Sequence, residues 1–321
     1  ADVLRPVYDR TNGTDGFVSL EVSPHLARDA KGTTEEAHRL WDTVNRPNLM
    51  IKIPGTAEGT PAVRACLADG INVNVTLLFA VESYEDVARA YVRAQQRRAT
   101  EGQSLDSVAS VASFFLSRID VLVDSLLSHR VRTPPGEPAA QSLYGRAAGA
   151  SARLAYRSYQ RLTADSAWQE LAAAGARPQR LLWASTSTKN PLYDPVRYVE
   201  PLIGRDTVNT MPEVTIEAFA RVGRVLPDSV EDGVEEAEGV FSALAATGID
   251  MGAVNEQLLS EGAQKFVDPF DKLLAGLALR RAEMREDQRV DVREPADAIP
   301  GLSATLSALH EQRFAVRLAG R

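Results

Sequence analysis

The sequence predicts an α/β protein whose parallel strands form a TIM (β/α)8-type barrel. Short β-rich runs alternate with longer helical stretches, which is typical of parallel strands joined by right-handed helical crossovers. Polar residues stand at the carboxyl ends of several strands, and a barrel gathers such residues at one face. The competing architecture, a doubly wound sheet, more often has a glycine-rich turn after its first strand, and no GxGxxG or GxxxxGK[ST] occurs here.

Each predicted element rests on the spacing of its apolar residues. Strands are predicted at 17–22, 49–53, 72–79, 110–117, 180–185 and 206–211. Helices are predicted at 34–45, 60–70 and 84–99, in a long run over 139–175, and again from the last strand to about residue 286. The prolines of RTPPGEP, residues 132–138, predict a loop.

Only six of the eight barrel strands are identifiable. The first 16 residues have a helical pattern, and they supply no further strand. The tail contains two β-like runs, QRVDVRE and RFAVRLA, but both are too polar for core strands of a barrel. The pattern therefore predicts a barrel that is incomplete within this chain.

Composition narrows the class of protein. The chain is 44% hydrophobic and 25% charged, as in globular proteins. A net charge of -7 without a basic stripe argues against nucleic acid as a binding partner. No apolar run reaches the roughly 18 residues that are needed to span a bilayer. A single cysteine allows no disulfide within the chain, which agrees with a reducing cytoplasm. The four histidines are scattered along the sequence, so no metal site is predicted.

Lys52 is the most unusual residue in the predicted strands. It interrupts the apolar run LMIKI, which ends abruptly at Pro54 and Gly55. Burial among apolar groups lowers the pKa of a lysine, and a neutral amine can attack a carbonyl to form a Schiff base. The alternative is that Lys52 pairs with a buried carboxylate, for which Glu21 is the candidate, and spacing alone favours this second interpretation.

The ends of the other strands carry groups that Schiff-base aldol chemistry requires. That chemistry needs a proton relay, hydroxyl and amide donors, and cations for any phosphate. The candidates are Glu21, Asn74, Thr76, Ser113, Arg118 and Lys189. Asn74 and Thr76 are two positions apart, so both point to the same face of their strand. Arg118 is suited to bidentate binding of a phosphate.

Through these candidate residues and the segments around them, the chain resembles the transaldolase family. The resemblance is greatest to the actinobacterial-type branch of that family. The resemblance runs from residue 1 to about 280. The matching segments, in family order, are MIKIPGTAEGTPAV (50–63), GINVNVTLLFA (70–80), VASFFLSRID (111–120), LLWASTSTKNP (181–191) and TVNTMPEVTIEA (207–218).

The resemblance implies a barrel of the class I aldolase kind and a transfer reaction of the pentose phosphate pathway. A dihydroxyacetone unit would pass from fructose 6-phosphate or sedoheptulose 7-phosphate to erythrose 4-phosphate or glyceraldehyde 3-phosphate. The partners implied are sugar phosphates alone, with no metal or organic cofactor. We expect a cytoplasmic monomer or homodimer that binds neither nucleic acid nor membrane.

The resemblance also implies a role for each candidate. Lys52 would form the Schiff base, while Glu21 and Thr76 would hold the water that carries protons. Asn74 would bind the dihydroxyacetone hydroxyls. The remaining residues would bind substrate: Ser113, Arg118 at the phosphate, and Lys189 as a second phosphate cation.

One part of the family pattern is absent from these residues. Members of the family carry two earlier strands, the first with an aspartate that cleaves the C3–C4 bond and the second with an asparagine. Asp2 and Asp9 lie in a helix-like segment and do not match. We therefore expect residues 1–286 to form an N-terminally incomplete barrel domain, with a C-terminal extension at 287–321.

Two alternatives to a transaldolase remain open from the sequence. The first is a related Schiff-base aldolase, or a transaldolase-like enzyme acting on another sugar, which would keep Lys52 and change the acceptor loops. The second is a non-catalytic barrel remnant that serves as a binding module. The retention of Lys52, Glu21 and Thr76 together argues against the remnant.

Overall fold

A computed structural model of the chain describes residues 1–131 and 138–287. The chain divides into two compact units, Ala1–Val267 and Asp268–Arg321, and the first contains every described strand. The predicted loop at 132–138 lies outside the described residues except for its last position. The two β-like runs of the tail also lie outside the described residues.

Six parallel strands form one sheet, as the sequence predicts. They are β1 (Val18–Glu21), β2 (Leu49–Pro54), β3 (Val73–Leu78), β4 (Ser110–Phe115), β5 (Arg180–Ala184) and β6 (Thr207–Asn209). Their order in the sheet equals their order in the chain, and every neighbouring pair is parallel. Among the described residues the sheet does not close, because β1 and β6 each pair with a single neighbour.

Helices lie before β1, between successive strands as far as β5, and after β6. They are α1 (Arg5–Arg10), α2 (Ala30–Val44), α3 (Gly59–Ala68), α4 (Val81–Thr100), α5 (Ser117–Val131), α6 (Pro138–Gln141), α7 (Ala147–Ala164), α8 (Ser166–Ala173), α9 (Glu213–Val222), α10 (Val234–Ala246) and α11 (Met251–Asp287). None of the helices in the described ranges is both long enough and apolar enough to cross a bilayer.

The prediction of one helical run over 139–175 is wrong in detail, because the run contains three helices. Asp165 has an extended conformation between α7 and α8, with a φ of -65° and a ψ of 141°. Its carboxylate accepts a hydrogen bond from the backbone N–H of Ala167 at 2.9 Å. The aspartate therefore ends one helix and caps the next, which is a common use of this residue type.

The two faces of the sheet differ in chemistry. Side chains alternate along each strand, so residues paired across parallel strands point to the same face. One face is apolar and packs into the core; Ile51, Val73 and Val75, for example, are fully buried. The register pairs Lys52 with Glu21 on one side and with Asn74 on the other, so these three polar residues share the opposite face.

The turn that follows β2 is fixed by close packing. A Cβ atom at Gly59, the first residue of α3, would lie 2.1 Å from the backbone oxygen of Pro54. Thr56 Oγ1 accepts a hydrogen bond from the Gly59 N–H at 2.8 Å and donates one to the Ala27 carbonyl at 2.6 Å. The turn therefore holds the end of β2, and Lys52 with it, against the start of α3.

We expect Gly59→Ala to destabilise the chain by about 1–3 kcal/mol, because the methyl group has no space beside the Pro54 oxygen. Urea unfolding measures the free energy change. Gly239→Ala in α10 is the matched control, since no atom of the described residues lies within 4 Å of a Cβ atom there. Helix propensity alone should stabilise that control by up to about 1 kcal/mol. Equal stability of the two variants would contradict the packing argument.

Candidate active site

Lys52 and Glu21 form an ion pair at the carboxyl ends of β1 and β2. The Lys52 Nζ lies 3.3 Å from the Glu21 Oε2, and the two side chains are 22% and 26% exposed. Every other residue of β2 is buried, so the amine is the polar group of an otherwise apolar strand. The pairing that the sequence suggested is present, and both side chains remain partly exposed.

Burial raises the pKa of the Glu21 carboxyl, and this effect exceeds the opposing influence of the Lys52 ammonium. A carboxyl with a raised pKa holds its proton closer to neutral pH than an exposed glutamate does. Such a group can both accept and return a proton during one catalytic cycle. Glu21 therefore has the electrostatic setting of a proton carrier next to the amine.

Thr76 places an unsatisfied hydroxyl on β3. The residue is completely buried, and its Oγ1 has no hydrogen-bond partner among the described residues. Buried polar atoms without a partner are rare in folded proteins, and each one calls for a ligand or an ordered water. The unpartnered hydroxyl is therefore a position where a small polar molecule can bind.

A β-bulge in β3 contains Thr76 and Leu77. The pairing of β3 with β4 shifts between Val75 and Leu78, so two residues of β3 face one residue of β4. Leu77 has a φ of +62°, which is unusual for a residue with a side chain of this size. Bulges of this kind occur preferentially beside functional sites, where they redirect a side chain.

Asn74 is held in one orientation by two serines. Ser113 Oγ donates to Asn74 Oδ1 at 2.7 Å, and Asn74 Nδ2 donates to Ser19 Oγ at 3.0 Å. The structure thus joins two of the candidate residues, Asn74 and Ser113, by a direct hydrogen bond. Sequence reasoning missed Ser19, although its position two residues before Glu21 places it on the same face of β1.

Arg118 is the second residue of α5 and lies against two aromatic rings. Its Cζ is 5.3 Å from the centre of the Phe115 ring and 6.0 Å from that of Phe266. Burial lowers the pKa of the guanidinium, and its buried Nη1 has no hydrogen-bond partner within the described part of the chain. The side chain therefore presents unused donor capacity, as expected of a residue that binds an anion.

The loop after β5 is tied to the start of α5. Ser185, which has a φ of +55°, places its Oγ 2.9 Å from Ser117 Oγ, and its carbonyl accepts from the Ser117 N–H at 3.0 Å. This contact brings the loop next to Arg118. Lys189 lies farther along in the exposed part of the loop, where its Nζ contacts Ser187 Oγ at 2.6 Å.

Phe266 is a second residue that sequence reasoning missed. It lies on α11, and its ring centre is 5.4 Å from the Lys52 Nζ. Nothing in the sequence marks it, because an aromatic residue on an amphipathic helix usually belongs to the core. More than 200 positions separate it from Lys52, so only the folded chain brings the two side chains together.

Lys52 and Glu21 place an amine beside a carboxyl at the carboxyl ends of parallel strands, the end at which α/β barrel enzymes carry their active sites. A family model described as Transaldolase/Fructose-6-phosphate aldolase matches residues 1–277. The chain therefore belongs to this family, whose members have the TIM-barrel fold of aldolases, and the described sheet contributes six parallel strands to that fold.

Similar proteins carry the name transaldolase. The Transaldolase of Parafrankia sp. (strain EAN1pec) is 49% identical over 273 residues, which are 85% of this chain and 73% of the relative. Transaldolase 2 of Nostoc sp. (strain PCC 7120 / SAG 25.82 / UTEX 2576) is 47% identical over 282 residues, 86% of this chain and 74% of the relative. The Transaldolase of Thermobifida fusca (strain YX) is 47% identical over 282 residues, which are 88% of this chain and 75% of the relative. These findings confirm the family resemblance predicted from the sequence.

Proposed function

We propose that this chain is a transaldolase that transfers a dihydroxyacetone unit between sugar phosphates through a Schiff base on Lys52. The observation that carries the proposal is the Lys52–Glu21 pair at 3.3 Å, in a strand that is otherwise buried. The relatives named transaldolase, at 47–49% identity, support the same reaction. Exchange between fructose 6-phosphate and erythrose 4-phosphate is the reaction that we expect in the pentose phosphate pathway.

Imine formation requires a proton to leave the amine and a water to leave the substrate. Glu21 would accept the proton of the Lys52 ammonium, and the neutral amine would then attack C2 of the ketose. Glu21 would return a proton to the departing hydroxyl through a water held at the Thr76 hydroxyl. The free Thr76 Oγ1 and the raised pKa of Glu21 both support this relay.

The imine then serves as an electron sink for carbon–carbon cleavage. The C3–C4 bond breaks, an aldose phosphate leaves, and the three-carbon enamine remains on Lys52 until it attacks the aldehyde of an acceptor. Hydrolysis of the new imine releases the product ketose. We assign none of the described residues as the base that removes the C4 hydroxyl proton.

The remaining candidates would bind the substrate. Asn74 and Ser113, fixed by their mutual hydrogen bond, would position the hydroxyls of the dihydroxyacetone unit. Arg118 would bind the phosphate through its unpartnered Nη1. Lys189, in the loop that Ser185 ties to α5, would add a second cation for the same phosphate.

Borohydride trapping tests the proposal. The full chain is incubated with fructose 6-phosphate, reduced with borohydride, digested, and searched by mass spectrometry for the three-carbon adduct. We expect the adduct on Lys52 and not on the exposed Lys31, whose side chain is 87% exposed. Labelling at other lysines, or none at Lys52, would contradict the Schiff-base assignment.

The acceptor requirement separates a transaldolase from an aldolase of the same family. A transaldolase retains the three-carbon unit until an aldose phosphate arrives, so little free dihydroxyacetone should form without erythrose 4-phosphate. Rapid release of free dihydroxyacetone would instead favour the aldolase alternative. A chain that traps no sugar at all would favour the non-catalytic remnant.

The proposal extends to the cellular location, nucleic-acid binding, assembly and domain bounds of the chain. We propose a cytoplasmic enzyme, which its single cysteine supports, and one without affinity for nucleic acid, which the net charge of -7 supports. We propose a monomer or homodimer. We also propose that residues 1–286 form the barrel domain and that residues 287–321 are an extension of it.

A further inference from the structure

Helix α11 packs directly over the carboxyl end of β3. A Cβ atom at Gly262 would lie 3.2 Å from Leu77 Cδ2, 3.6 Å from Phe79 Cε2 and 3.7 Å from the Arg118 Nη1. The bulge that gives Leu77 its positive φ therefore also shapes the surface that receives this glycine. Phe266 follows one turn later on the same helix, so this close approach places its ring at the site.

The Phe266 ring contacts both cations of the proposed site. The Lys52 Nζ is 5.4 Å from the ring centre and the Arg118 Cζ is 6.0 Å from it. An aromatic ring face attracts cations at such distances. Glu21 neutralises Lys52, but the buried Arg118 Nη1 has no hydrogen-bond partner among the described residues, so the Phe115 and Phe266 rings supply its favourable contacts.

We propose that Phe266 is a positioning residue that sets the separation between the Lys52 amine and the Arg118 guanidinium, and thereby selects ketoses that carry a terminal phosphate. This inference rests on the proposed function. Because both cations lie within about 6 Å of one ring centre, they are no more than twice that distance apart. The carbon chain between C2 and the terminal phosphate of a six- or seven-carbon ketose can cover that span.

The proposal makes the ring more important for phosphate binding than for imine formation. Without the aromatic face, Arg118 would lose one of its two ring contacts and sample more orientations. A substrate lacking phosphate, such as dihydroxyacetone, needs only the amine and its proton carrier. The two classes of ligand should therefore respond differently to a change at Phe266.

Phe266→Leu tests this difference, because leucine keeps an apolar side chain and removes the ring. The full-length variant is titrated with inorganic phosphate and with fructose 6-phosphate by calorimetry, and its Lys52 is trapped with dihydroxyacetone and borohydride. We expect both Kd values to rise about five-fold, the equivalent of one cation–π contact of about 1 kcal/mol. The rate of dihydroxyacetone trapping should fall by a smaller factor than these affinities, because Glu21 still pairs with Lys52.

Phe241→Leu on α10 is the matched control, since this phenylalanine is also partly buried against the core. Its phosphate affinity should equal that of the parent. The proposal is overturned if Phe266→Leu binds phosphate as tightly as the parent. It is also overturned if Phe241→Leu loses as much phosphate affinity as Phe266→Leu does. Parallel loss of trapping and Tm would assign Phe266 a purely structural role and would also overturn it.

The outcome is separable from that of the proposed function. If the parent chain forms no dihydroxyacetone adduct on Lys52, the Schiff-base function fails. The comparison of phosphate Kd values between Phe266→Leu and the parent still decides the role of the ring, because calorimetry requires no turnover.

Discussion

Lys52→Met is expected to abolish transfer between fructose 6-phosphate and erythrose 4-phosphate. Methionine preserves much of the side-chain length and the apolar contacts of β2, but it cannot form an imine. Loss of a covalent nucleophile lowers kcat by about 10⁴-fold or more in enzymes that depend on one. Coupled measurement of the glyceraldehyde 3-phosphate that leaves the donor would quantify the loss.

The same substitution also removes a charge that is only 22% exposed, so stability must be monitored beside activity. Lys31→Met, at an exposed position of α2 that pairs with Glu35, is the matched control and should keep full activity. Residual transfer in Lys52→Met above about one-hundredth of the parent rate, with a native circular dichroism spectrum, would refute the nucleophile assignment.

Glu21→Gln is expected to lower kcat by about 10²–10⁴-fold, the usual contribution of a general acid–base group. The amide retains the size of the side chain and its position on β1, but it can neither accept a proton from Lys52 nor return one. Imine trapping under single-turnover conditions would show whether the lost step is imine formation.

The pH profile gives a second test of the same residue. Burial raises the pKa of Glu21, so the carboxylate form should be lost at a higher pH than for an exposed glutamate. Activity in the parent should therefore fall with decreasing pH along a limb that starts above the ordinary glutamate range. Glu21→Gln should lack this limb, and Glu35→Gln, an exposed control on α2, should retain it. A limb that survives in Glu21→Gln belongs to another group.

The strands and the position of Lys52 could be predicted from the sequence because both depend on local patterns. Apolar runs of about six residues marked the six strands, and the Pro54–Gly55 turn marked the end of β2. The neighbours of Lys52 could be inferred because parallel strands place their carboxyl ends together. Their observed registers then paired Lys52 with Glu21 and with Asn74.

Features that depend on the path of the chain in space could not be predicted. The break at Asp165 is set by a single capping hydrogen bond, which periodicity does not detect. The bulge at Leu77 gives a leucine a left-handed conformation that its residue type disfavours. Phe266 reaches the site through the close approach of α11 to β3 at Gly262. Long-range contacts of this kind leave no local signal.

The unpartnered hydroxyl of Thr76 has a consequence for how this sequence can evolve. Among the described residues this buried hydroxyl has no partner, and such a group costs more to bury than an apolar side chain of the same shape. Valine has nearly that shape, so selection for thermal resistance alone would favour it at this position. A lineage that keeps threonine is therefore less stable but retains turnover. Active-site residues commonly show this trade-off between stability and activity.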